Sequence, residues 1–115
     1  MAKKQTEINT PTKKEVEEFE ILSPHLEGLL QEVKSLSQKK QDGALNPYKV
    51  KMINKVLSKA RQLLEKYPSS EFLELLDEET MPTNSDALFM IIQFKSAMQN
   101  FKNNLNTYTA FLSQS

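Results

Sequence analysis

Residues 87–112 read ALFMIIQFKSAMQNFKNNLNTYTAFL. Apolar or aromatic side chains recur there at Ala87, Ile91, Phe94, Met98, Phe101, Leu105, Tyr108 and Leu112, in steps of four and three. A helix repeats every 3.6 residues and a strand every two, so this spacing lines one face of a helix. The densest apolar run, Ala87 to Ile92, continues the same period and lacks β-branched residues at its start, which argues against a strand. Leu88 and Ile92 thicken the stripe in its first half. Thr83 to Asp86 supply capping residues ahead of it, so a helix is predicted over about Ser85 to Leu112.

The same rhythm appears twice upstream. Val50, Ile53, Leu57, Ala60, Leu64 and Tyr67 repeat it behind the clearest helix start in the chain, Asn46-Pro47. Asn is a good N-cap and Pro a good first helical residue. Leu45 and Val50 flank that start where a hydrophobic staple belongs. Further upstream, Thr12 and Glu15 fit a capping box and predict a helix from Lys13. Phe19, Leu22, Leu26, Leu29, Val33 and Leu36 then keep one phase straight through Ser23-Pro24. A proline inside a helix costs about 3 kcal/mol or more, so the reading is a helix kinked or broken at Pro24 with both pieces facing one core. Asp42-Gly43 is read as its stop, with Gly43 in the left-handed conformation. Gly28 is read as a point of close helix approach. Pro68 ends the second long helix, and Glu71 to Asp77 is read as a short helix with Phe72, Leu75 and Leu76 on one face.

The fold class that follows is all-α: an antiparallel helical bundle of three long helices plus one short helix. Residues 1–11 read as a flexible tail and residues 12–115 as a single domain. The last helix outruns the second, so its end, with Leu105, Tyr108, Phe111 and Leu112, either overhangs the bundle or is covered by residues 13–22.

Composition narrows function mainly by exclusion. The chain has 115 residues, fifteen acids against fifteen bases, and no cysteine, which removes disulfides, thiolate metal sites and cysteine nucleophiles. A net charge of zero argues against a strongly basic nucleic-acid binder. No run approaches the roughly 18 apolar residues of a membrane span, and Met1 to Thr10 is polar. The expected setting is therefore soluble and cytoplasmic, with no membrane partner.

Reactive chemistry is sparse. His25 is the single histidine, two residues after Ser23, and reads as a surface residue rather than a base. Two glycines, Gly28 and Gly43, build no phosphate-cradling loop. Glu71, Glu74 and Glu78 would share a face if the short helix persisted, but a solvated acidic face is the simpler reading. No catalytic residue, metal, cofactor or small-molecule substrate is expected, and the chain is read as not an enzyme. Two surfaces remain. Phe94, Met98, Phe101, Leu105, Tyr108, Phe111 and Leu112 form a candidate protein interface, because aromatic residues and Met are enriched at interfaces, although the same residues suit a core. Lys51, Lys55 and Lys59 form a stripe suited to phosphates or an acidic partner. The plain alternative is pairing of that helix with Glu15 to Glu20 and Glu71 to Glu79 inside the bundle. The leading expectation is a module that binds another protein or itself. The alternative is a nucleic-acid-binding accessory using the basic stripe of helix 47–67.

Overall fold

The computed structural model describes residues 11–114, with side chains described through residue 106. Three helices carry the fold: α1 (Lys13–Lys39), α2 (Pro47–Leu63) and α3 (Asn84–Gln114). A 3-10 turn spans Pro68–Phe72. The described chain measures 52 × 27 × 19 Å. The tail of residues 1–11 falls, but for Pro11, outside the described residues.

Each helix starts where its capping chemistry puts it. Thr12 accepts from the Glu15 amide at 3.1 Å, and Glu15 accepts from the Thr12 amide at 3.0 Å, which closes the capping box of α1. Asn46 Oδ1 accepts from the amides of Tyr48 and Lys49 at the start of α2. Thr83 Oγ1 accepts from the Asp86 amide at 3.0 Å, and Asp86 accepts in return from the Thr83 amide, so α3 begins with a second reciprocal box. Between these starts α1 runs unbroken through Pro24. Proline cannot donate to the carbonyl four residues back. Here that carbonyl belongs to Glu20, and both Glu20 and Pro24 are exposed, so water can serve it. Leu22 and Leu26 stay buried on either side, which is why the phase survives.

The helices alternate direction only partly. Lys49 pairs with Glu32 and Lys66 with Glu15, so α2 runs antiparallel to α1. Phe19 stacks on Phe101 and Asn84 reaches Lys40, so α3 also runs antiparallel to α1. It follows that α2 and α3 point the same way. The chain from Leu64 to Thr83 must return along the bundle between them, and it does so as a strap. The expected helix over Glu71 to Asp77 is not there: after the 3-10 turn the backbone of residues 73–77 is neither helix nor strand. Leu73 and Leu76 enter the core, while Phe72 and Leu75 stay exposed. The local 3-4 pattern loses to a different demand. Leu76 turns its own amide and carbonyl to the buried side chain of Asn54, which accepts at 2.9 Å and donates at 2.8 Å. The amide of Asn54 thus does for the strap what a neighbouring strand would do.

Both glycine expectations are corrected. Gly43 is not left-handed, since no glycine among the described residues has positive φ. Its value is space. A Cβ there would lie 3.1 Å from Nδ2 of Asn84, which donates to the carbonyl of Lys40 at 2.8 Å and more distantly to that of Leu36. The first residue of α3 thereby finishes the C-terminus of α1. Gly28 allows no close approach: it is exposed, and a Cβ would meet nothing within 4 Å.

The core is one cluster. It includes Leu26 and Val33 of α1, Ile53, Leu57 and Ala60 of α2, Leu73 of the strap, and Ile91, Phe94, Met98 and Phe101 of α3.

Candidate functional site

The seven residues of the expected interface divide three ways. Phe94, Met98 and Phe101 are buried in the chain's own core and present no surface. Leu105 is half-buried. Tyr108, Phe111 and Leu112 lie outside the described side chains. Phe101 is held from both sides: Phe19 stacks on it at 5.1 Å and Tyr67 meets it edge-on at 5.6 Å. Glu15 anchors this end by accepting from the Tyr67 hydroxyl at 3.3 Å and pairing with Lys66 at 3.0 Å. Burial, reinforced by the Glu15 charge, pushes the Tyr67 phenol up to about 12. The first turns of α1 therefore cover α3 at Phe101; the end expected either to overhang or to be covered, with Tyr108, Phe111 and Leu112, lies outside the described side chains.

Among the described residues, a bare apolar surface lies at the other end of α3. Phe89 is 64 % exposed, Met81 58 % and Leu75 37 %. They line a groove of about 720 Å³ between the strap and the first turns of α3, with Asp77 and Asp86 on its walls. Ile92, also exposed, lies one turn along from Phe89. Periodicity contains the signal for Phe89. It sits two residues after Ala87, about 200° around the helix, so it points away from the seam. No such signal marks Met81. Its φ of 53° places a non-glycine residue in the left-handed region, and its side chain stands in solvent. That conformation costs an L-residue about 1–2 kcal/mol, so the backbone is strained where the groove needs an apolar wall.

The charges around this groove are one-sided. From Glu71 to Phe94 the sequence has six acids and neither Lys nor Arg. Glu78 accepts weakly from Asn54, Asp77 from the Glu79 amide, and Asp86 serves the α3 cap. Among the described residues none of the six is in an ion pair; the three ion pairs use Glu15, Glu27 and Glu32. Nor do three or more acids gather as a metal site would require among those residues. Glu71, Glu74 and Glu78 share no helix face, because that helix does not form.

The basic stripe is where the spacing put it. Lys51, Lys55 and Lys59 are exposed on α2, flanked by exposed Tyr48 and Met52. Pairing inside the bundle reaches the bases outside the stripe: Lys49 pairs with Glu32 at 3.9 Å and Lys66 with Glu15. Lys51, Lys55, Lys59 and Arg61 form no ion pair with any described residue. His25 is exposed on α1. Elsewhere, Lys95 pairs with Glu27 across α1 and α3, and with Gln31 it holds the Glu27 carboxyl below its usual range.

No protein-family model matches the chain, and neither a curated protein nor a solved structure is significantly similar to it. No helix among the described residues is long and apolar enough to cross a membrane. The structure defines the class alone: among the described residues, an all-α bundle of three helices closed by a strap whose one regular piece is the 3-10 turn.

Proposed function

We propose that this chain is a non-enzymatic, cytoplasmic protein-binding module, and that it binds through the strap–α3 groove rather than through the far end of α3. One observation carries the reading: Leu75, Met81 and Phe89 stand exposed together in a single groove, one of them on strained backbone. Contiguous exposed apolar surface with a polar rim is what interaction sites look like. The test is a double substitution, Met81→Lys with Phe89→Lys, which touches no core residue. A protein partner held by the wild type, reconstituted from purified components, should be lost in the variant while helix content and unfolding midpoint stay unchanged. Retained binding in the variant refutes the groove.

A second reading rests on the unpaired row Lys51, Lys55 and Lys59: contact with nucleic-acid phosphates. It predicts salt-sensitive binding to DNA or RNA, since each neutralised phosphate releases counterions. Absence of binding at low salt, or binding that survives reversal of the three lysines, refutes it.

A further inference from the structure

We propose that the occupant of the strap–α3 groove is a second copy of this chain, presenting the outer face of its α2. The inference rests on the groove being a protein-binding site. The two surfaces are complementary in charge and alike in their need. The groove offers exposed Leu75, Met81 and Phe89 with Asp77 and Asp86 on its walls, and Glu74, Glu78 and Glu79 are the exposed acids next to Leu75 and Asp77 in sequence. The α2 face offers exposed Tyr48 and Met52 beside Lys51, Lys55 and Lys59 at one-turn spacing. In the single chain the two charge sets do not compensate each other: of the six bases in residues 47–67 only Lys49 and Lys66 are paired, both with α1, residues 71–79 carry five acids and no base, and no ion pair joins the two segments among the described residues. Arg61 and Glu71 even line one groove without pairing. The chain as a whole is neutral, so a second copy supplies each surface with the charge it lacks and leaves the assembly neutral. Opposite potentials that meet across an interface set orientation and speed encounter.

The test uses two charge-reversed variants of the full chain. One carries Lys51→Glu, Lys55→Glu and Lys59→Glu. The other carries Glu74→Lys, Glu78→Lys and Glu79→Lys. Sedimentation equilibrium should show concentration-dependent self-association of the wild type at low ionic strength. Raising salt from about 0.01 M to 0.15 M shortens the Debye length from about 30 to 8 Å and should weaken it by about tenfold or more. Each variant alone should be monomeric, and an equal mixture of the two should associate again, because reversal on both sides restores complementarity. Met81→Gly supplies an independent check that cannot be mistaken for misfolding: relief of the left-handed strain should raise thermal stability while association weakens. A wild type that stays monomeric at low salt, or a mixture that fails to associate, overturns the proposal. If another partner is then still lost with Met81→Lys and Phe89→Lys, the groove stands as a binding site and only its occupant was wrong.

Discussion

Phe101 and Phe89 lie on one helix, three turns apart, and have opposite fates. Phe101 is 1 % exposed and Phe89 64 %. Both are large, aromatic and flanked by helix-compatible residues. The difference is what crosses each of them. Phe101 lies on the seam and receives Phe19 from α1 and Tyr67 from the chain just beyond α2. Phe89 lies on the outer face, where the strap passes beside it and leaves a groove. An aromatic residue on a helix is thus core or surface according to its neighbours. Its own chemistry does not decide.

The contrast breaks first at its strongest point. Phe101→Ala should cost about 3–5 kcal/mol in chemical denaturation, because it deletes a buried ring stacked on Phe19 and met edge-on by Tyr67. Phe89→Ala should stay within about 0.5 kcal/mol of the wild type. Similar losses at both positions would mean that the groove is closed in solution.

The strap's part in the contrast is tested through Asn54. Asn54→Ala orphans both the amide and the carbonyl of Leu76. Each buried group left unpaired costs about 1–3 kcal/mol, so for the two together destabilisation of about 2–6 kcal/mol is expected. Hydrogen exchange at the Leu76 amide should accelerate more than exchange within α1. If it does not, the strap is held by Leu73 and Leu76 alone.

The covered end also has a signature in pH. The phenol of Tyr67 titrates near 10 when unfolded and is pushed up to about 12 in the fold. The folded state therefore holds that proton more tightly. The stability it contributes is complete below pH about 10 and is lost as pH rises towards about 12. Lysines titrate in the same range, so the quantity to follow is the stability difference between wild type and Tyr67→Phe. That difference should shift against the wild type across this window. A constant difference would mean that Tyr67 is not buried over Phe101.

The smallest effect compares a bare position with a covered one of the same residue type. Gly28→Ala should stabilise the protein by about 0.5–1 kcal/mol, since a methyl there meets nothing and reduces the backbone freedom of the unfolded chain. Gly43→Ala should destabilise it, because the methyl crowds the Asn84 amide that finishes α1. Thermal melts of the two variants should move in opposite directions.

Much of this could be read from residues alone. Thr12 with Glu15, Asn46 with Pro47, and Thr83 with Asp86 announced three helix starts, because a cap involves atoms only two or three residues apart. The seam of α3 announced Phe94 and Phe101 as one face for the same local reason. The strap was misread because Leu75 and Leu76 follow a helical spacing as well as an extended one. The partner that decides between them, Asn54, is 22 residues away. Half of the candidate site was legible: Lys51, Lys55 and Lys59 are exposed as their spacing implied. Of the other half Phe89 alone carried a signal, its place off the seam of α3, while Met81, on strained backbone, shows no pattern.

Sequence by itself determined the three long helices, their starts and the face each one turns inward, although the second, read as 47–67, ends at Leu63. Those follow from a period and from hydrogen bonds within one turn, and both are properties of a single segment. Only the tertiary structure decided which faces are covered, that the chain returns from α2 as a strap, and that of these two α3 aromatics Phe89 is bare and Phe101 covered. Burial is a relation between segments far apart in the chain, and no local period encodes where the second segment will lie.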